Sequence, residues 1–291
     1  MAAHKTLAPA QPHAAAPGAM AETIIQPVRG WPALRLREVW DQRELLWVMT
    51  YRNLQTRYRQ MALGPLWIVI QPLMNMVLYT ILFGGIAKLP SDGQPYAIFT
   101  YVALLPWSFF SDSIGAASST LAENKGLISK IYFPRLIPTL ARMLSSLVDF
   151  AISFVILIVL LIVSGSRPNA GVLLLPVFLA IAGLCGLAVG LWFSGIVVRF
   201  RDFGQVVGYL VRFWMYATPV VYSIKLVPEA WLPLYRLNPM TGVIEGFRWA
   251  LLGSGHPPDW TMLVSTLLLV PVLIGGLYVF RRVERNIVDI A

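Results

Sequence analysis

Long apolar runs near 65–87, 96–120, 138–163, 170–198, 205–224 and 260–280 divide the chain into six segments. Each is close to the ~20 residues a helix needs to cross about 30 Å of hydrocarbon. Strict alternation of apolar and polar positions over ten-residue units is missing, which argues against a transmembrane β-barrel. The pattern predicts an all-α integral membrane protein with six transmembrane helices over residues 61–291.

Between 34 and 60 the periodicity is different. Leu36, Trp40, Trp47, Tyr51, Leu54 and Tyr58 fall on one helical face, with Arg and Glu on the others. This predicts an amphipathic helix along the membrane surface, its aromatics in the interface and its arginines near anionic headgroups. A plain membrane anchor gives the same pattern. Continuation into Gly64, Pro65 and Trp67 points further, to a sharp turn into the first span that senses or admits a lipid.

Two connections also carry patterns. In 123–135, Leu127, Ile128, Ile131 and Tyr132 form one apolar face ahead of Pro134 and Pro138. That suits either a short helix transmitting a push from a cytosolic partner or an ordinary tight connection. Between spans five and six, Pro219, Pro228, Pro233, Pro239, Pro257 and Pro258 interrupt two short apolar stretches, 231–235 and 240–252. Irregular backbone at membrane depth survives only against protein or a water-lined cavity, so re-entrant helices forming an external gate are expected.

Composition agrees with the spans. Of 291 residues, 57% are hydrophobic and 13% charged, about half the charged share of a soluble domain. The formal charge of +9 sorts by side of the membrane. Fourteen Lys and Arg residues lie on the side of the termini and of the loops after spans two and four, and five lie opposite: Lys88, Arg167, Lys225, Arg236 and Arg248. This bias places both termini in the cytoplasm and accounts for the charge without a nucleic-acid partner. Residues 1–33 are rich in Ala and Pro, have no continuous apolar h-region, and read as a disordered cytoplasmic tail with Met20 as a second candidate start. The single Cys185 excludes an intrachain disulfide, and His4, His13 and His256 are too scattered to suggest a metal site.

Within the spans, Asp112 and Asp149 should face protein, since a charged carboxylate in hydrocarbon costs roughly 2.5–3.5 kcal/mol. Arg142 lies two turns before Asp149, with Ser145 and Ser146 between them, and a structural polar network is favoured over a transport role. Aromatics cluster in FWMYATPVVY at 213–222. Aromatic faces stack on the C–H faces of sugars while their polar edges bond hydroxyls, so such a lining would let a glycan slide. The chain lacks G-x-x-x-x-G-K-[ST], so ATP energy must come through another chain.

The blocks YRNLQTRYRQMALGPLWIVIQPL (51–73), YFPRLIP (132–138), VVRFRDFGQVVGYLVRFWMYATPVVYS (197–223) and LNPMTGVIEGFRWALLG (237–253) resemble the ABC-2 permeases that export O-antigen, capsular polysaccharide or teichoic acid. The resemblance covers residues 35–285 and implies a multi-pass inner-membrane half-transporter of type V exporter fold. In that fold two copies pair, two cytosolic ABC ATPases bind beneath them carrying ATP and Mg, and this chain holds no cofactor. It implies glycan contacts at Trp67, Tyr79, Phe213, Trp214, Tyr216 and Tyr222, and a polyprenyl pyrophosphate received by Arg52, Arg57 and Arg59. ATPase coupling would run through Asn124, Lys125, Leu127, Ile128, Ile131 and Tyr132. The external gate would use Trp231, Tyr235, Asn238, Pro239, Glu245 and Arg248. Other readings are an exporter of drugs or free lipids, a membrane enzyme acting on a polyprenyl-linked sugar, and a structural scaffold.

Overall fold

The computed structural model describes residues 36–59, 66–124, 126, 133–200 and 202–290, and these contain helices and turns but no strand. Two helices, α1 (Leu36–Asp41) and α2 (Arg43–Arg59), precede α3 (Leu66–Tyr79), which runs on as a π-helix over Thr80–Ile86. Next come α4 (Tyr96–Glu123), α5 (Leu136–Val163), a 3-10 turn at Ala170–Leu174 leading into α6 (Leu175–Arg199), and α7 (Phe203–Tyr216). After an irregular stretch come α8 (Leu232–Leu237), α9 (Pro239–Leu252) and the long α10 (Trp260–Ile290).

Five helical stretches among the described residues are long and apolar enough to cross a membrane: Leu66–Ile86, Tyr96–Glu123, Leu136–Val163, Ala170–Arg199 and Trp260–Glu284. The chain is a multi-pass membrane protein. The segment expected at 205–224 differs. Its helix α7 stops after 14 residues, about 21 Å, and residues 217–222 continue as turns. Pro219 has no N–H for an α-helical bond, and the turn's carbonyls are engaged elsewhere, as shown below.

Helix α4 is the hub. It packs on α3, α5, α6, α7 and α9 and supplies Phe99, Tyr101, Val102, Phe110 and Ile114 to the core, each fully buried. Its tightest contact is with α6. A Cβ at Gly186 would lie 2.5 Å from the Ser113 Cβ, and one at Gly190 2.5 Å from the Ala117 Cβ. The GLAVG spacing thus places two glycines one turn apart and brings the backbones together, as small residues do in membrane helix pairs.

Hydrogen bonds mark the two ends of the bundle. At one end Gln94 donates to the Leu252 carbonyl (3.2 Å), the Asn169 amide to the Trp249 carbonyl (2.8 Å), and Tyr96 to the Val221 carbonyl. At the other, Arg142 pairs with Glu123 at 2.5 Å and Arg135 donates to the Glu284 carbonyl. Helix α9 is buried along most of its length against α4 and α6.

Helices α1 and α2 are apolar on two sides. Met49 and Thr50 are buried against α5, with Val39, Leu45 and Leu46 partly so, while Trp40, Trp47, Val48 and Tyr51 are exposed. The single face expected from Trp40 to Tyr58 is therefore divided, because Leu54 and Tyr58 turn toward the protein. The Leu36 side chain, Gly64 and Pro65 lie outside the described residues.

Candidate functional site

Two adjoining cavities lie among α3, α4, α5 and α7, with α2 closing one side. One, of about 760 Å³, is lined by Ser118, Ser119, Glu123, Arg142 and Gln205 toward the α2 end. The other, of about 710 Å³, is lined by Trp67, Gln71, Asn75, Tyr79, Trp107 and Tyr216, among others. Arg57, Ser111, Asp112, Ser146 and Val211 belong to both walls.

Helical spacing builds these walls. Trp67, Gln71, Asn75 and Tyr79 recur every fourth residue along α3, and Ser146, Asp149 and Ser153 recur at intervals of three and four on α5. Both series make one stripe on an otherwise apolar helix. Polar stripes inside apolar spans turn toward protein or water, and here they converge on the cavities.

Arg57 reaches from α2 to Asp149 of α5, donating through Nη1 to Oδ2, while the Tyr58 hydroxyl donates to Oδ1. Burial, reinforced by that hydrogen bond, pushes the Tyr58 phenol above its ordinary pKa. Asp149 therefore pairs with Arg57 and not with Arg142, which the sequence places on its own helical face. Arg142 instead bonds Glu123 and the Ser119 hydroxyl (3.1 Å). The reason is tertiary: α2 lies across α5 and presents a guanidinium that no reading of α5 alone reveals.

At the opposite end Arg248 is fully buried. Its Nη1 donates to the carbonyls of Pro219 (2.8 Å) and Tyr222 (3.2 Å) and to Glu245 Oε1 (3.2 Å), and its Nη2 to the Val220 carbonyl (2.7 Å). The guanidinium carbon sits 3.6 Å from the centroid of the Phe99 ring. Burial pulls its pKa down to about 10, with the Glu245 carboxylate opposing that, so it stays charged at neutral pH. Arg248 is thus no exposed loop charge, and the bias of basic residues toward the other side is stronger without it.

The sequence-predicted residues are placed as follows. Trp67, Tyr79 and Tyr216 line the 710 Å³ cavity, and the Tyr79 hydroxyl faces Met215 Sδ at 3.9 Å. Phe213 is 74% exposed and lies away from both walls. Trp214 packs edge-on against Phe110, centroids 5.2 Å apart. Tyr222 donates to the Tyr216 carbonyl (2.9 Å) and shares a hydrogen bond with the Tyr235 hydroxyl (3.0 Å). Arg52 and Arg59 are exposed, unlike the paired Arg57.

Asn124 ends α4, its amide bonding the Thr120 carbonyl (2.9 Å), whereas Lys125, Leu127, Ile128, Ile131 and Tyr132 lie outside the described residues. Trp231 is exposed. Asn238 caps α9, its Oδ1 accepting the Met240 N–H (3.1 Å) and its amide donating to Thr218 Oγ1 (3.0 Å), with Pro239 in the first turn. Missed at the sequence level were Gln71, Asn75, Ser108, Ser111 and Ser153. The four-residue spacing of Gln71 and Asn75 inside an apolar run was a readable signal.

Known proteins resemble the chain over most of its length. The family described as ABC-2 type transporter matches residues 44–252. The O-antigen export system permease protein RfbA of Myxococcus xanthus is 30% identical over 254 residues, 86% of this chain and 96% of the relative. RfbA of Klebsiella pneumoniae is 25% identical over 249 residues, 85% and 95% of the two chains. The polysialic acid transport protein KpsM of Escherichia coli is 20% identical over 236 residues, 80% and 91%.

Proposed function

Because the chain belongs to the ABC-2 type transporter family, we propose that it is the inner-membrane permease subunit of an ATP-driven exporter of polyprenyl-pyrophosphate-linked polysaccharide, O-antigen above all. Near full-length similarity to two O-antigen permeases supports the substrate class. The observation that carries the reading is the 710 Å³ cavity among the spans, where Trp67, Tyr79 and Tyr216 stand among amides, hydroxyls, two carboxylates and two guanidinium groups. Ligand sites are typically about 300–1,000 Å³ with a few placed polar groups.

In this reading α7 and the turn after it form the sixth crossing, and both termini are cytoplasmic. Two copies pair through the apolar faces that α3 and α7 leave exposed, among them Met74, Leu78, Val206 and Leu210. Two cytosolic ABC ATPases bind below, near 123–133, and supply ATP and Mg; this chain has no catalytic role. Exposed Arg52 and Arg59 attract the pyrophosphate, and Arg57 joins them by exchanging Asp149 for phosphate oxygens, a charge-assisted bond of the same kind. ATPase closure displaces the 123–133 segment and opens the conduit, with α8 and α9 acting as the external gate.

The test is deletion and complementation. Deleting the gene should remove polysaccharide from the cell surface and leave it inside the cell, the wild-type chain should restore export, and the chain should co-purify with an ATPase. Normal surface polysaccharide in the deletion strain, or turnover of a polyprenyl-linked sugar by the purified chain alone, overturns the proposal.

A further inference from the structure

The charged side chains that line the two cavities sum to zero, yet one pair among them is not made. Arg57, Arg142 and Arg212 stand on these walls with Asp112, Glu123 and Asp149. Arg57 is joined to Asp149 and Arg142 to Glu123. Arg212 and Asp112, both on the wall of the 710 Å³ cavity, make no hydrogen bond or ion pair among the described residues. The charges of Arg57 and Arg142 act on Asp112 from a distance and that of Asp149 opposes them, so no single group neutralises it. Arg212 lies against the Tyr209 ring, 5.7 Å from its centroid. Charges inside a membrane protein ordinarily pair with one another, and this carboxylate and this guanidinium are the two left over.

Helix register places the two at one depth. Helices α4 and α7 run antiparallel: Tyr96 at the start of α4 bonds the Val221 carbonyl beyond the end of α7, and Glu123 at the end of α4 shares a wall with Gln205 near the start of α7. The Phe110 and Trp214 rings meet edge to face with centroids 5.2 Å apart, which fixes the offset. Asp112 lies two residues from Phe110 toward the Glu123 end, and Arg212 lies two residues from Trp214 toward the same end. At 1.5 Å per residue both stand about 3 Å along the axis from that ring contact. Val211, next to Arg212, borders both cavities as Asp112 does. Open space, not a difference in depth, separates the two charges.

We propose that Asp112 and Arg212 are a latch: in a closed state of the empty transporter they join, draw α7 onto α4 within one chain, and seal the conduit against ions. Water or cargo in the conduit solvates both groups and keeps them apart. When the space dries, their attraction grows as the dielectric falls, and joining relieves each of an unpaired charge in the membrane. The seal, though not the pair itself, rests on the reading of the chain as an export permease.

The experiment uses the full chain with its ATPase in nanodiscs, without nucleotide, and at first leaves the pair intact. Ser108 and Tyr216 line the 710 Å³ cavity one turn from Asp112 and Arg212, on the side away from Glu123. Ser108→Cys with Tyr216→Cys accepts a short bis-methanethiosulfonate linker. The native Cys185 is buried, only 2% exposed, and gives little background. Linked peptides from one chain, read by mass spectrometry, should form at least about threefold more slowly once Asp112→Asn or Arg212→Gln is added, the scale of one solvated ion pair. The doubly neutral chain should be no slower than either single one, since each change breaks the same pair. Both substitutions remove a charge from a span, so insertion is preserved. Unchanged linking in the two neutral variants, additive slowing in the double one, or links only between two copies overturns the latch.

A second arm reads the seal. Proteoliposomes holding the transporter without cargo should leak potassium at least about threefold faster with Asp112→Asn or with Arg212→Gln, and the charge-swapped chain, Asp112→Arg with Arg212→Asp, should return to the wild-type leak. An unchanged leak in both neutral variants overturns the seal. Should the wild-type chain fail to restore surface polysaccharide in the deletion strain while linking still depends on the two charges, the permease reading fails and the latch stands. Restored export with linking indifferent to charge is the converse.

Discussion

Two arginines show how differently one residue type is used here. Arg248 serves three backbone carbonyls of the 219–222 turn at once, which only a planar, multi-donor guanidinium can do. Arg248→Met should leave those carbonyls unpaired at about 1–3 kcal/mol each, lowering the melting temperature of the detergent-solubilised protein by many degrees. Arg248→Lys, a single point donor, should recover only part of that loss. Arg57 is more accessible, at 34% against 16% for Asp149, so the pair is worth about 1 kcal/mol after solvent screening. Asp149→Asn should therefore raise amide exchange over residues 52–59 about fivefold, read by mass spectrometry, while α4 stays protected.

At the scale of elements, close approach and capping govern. Gly190→Leu would drive a side chain into Ala117 and the Ile114 carbonyl, and overpacking of this kind costs about 1–3 kcal/mol; a lowered thermal midpoint checks it. Helix α10 is capped by Asp259, whose Oδ1 accepts the Thr261 hydroxyl (2.6 Å) and the Met262 N–H (3.0 Å). Burial alone would raise the Asp259 pKa, but those bonds and the nearby Arg236 charge outweigh it and hold the carboxyl below its ordinary value. The cap is thus in place above the ordinary carboxylate range and disappears as pH falls through the lowered pKa. Asp259→Ala should cost about 1 kcal/mol at neutral pH and nothing further in strong acid, measured by melting across pH. Helix α7 shows the limit of pattern reading. Its apolar run continues past Tyr216, yet Pro219 and the pull of Arg248 on the following carbonyls end the helix.

For the whole molecule, the distribution of basic residues predicts that reporters at either terminus are active in the cytoplasm and inactive outside it. A terminus labelled by a membrane-impermeant reagent in intact cells overturns that topology. The helical class and the five long spans were legible because lipid admits few backbone solutions, and each span meets the length and apolarity requirement by itself. The candidate site was legible only in fragments. Trp67, Tyr79 and Tyr216 line one cavity, whereas Phe213 and Trp214, adjacent in the same aromatic run, are carried by helical rotation to the exterior and to Phe110.

The sequence alone determined solvent, element type and family, since hydropathy, charge bias and motif blocks are local properties that survive without knowledge of neighbours. Tertiary structure decided the rest: which acid Arg57 meets, where α7 stops, and that Gln71, Asn75 and Asp112 look into one space. The physical reason is range. Burial and ion pairing depend on residues 92 positions apart in the case of Arg57 and Asp149, and only the packing of α2 and α3 around α4 and α5 brings such groups within reach.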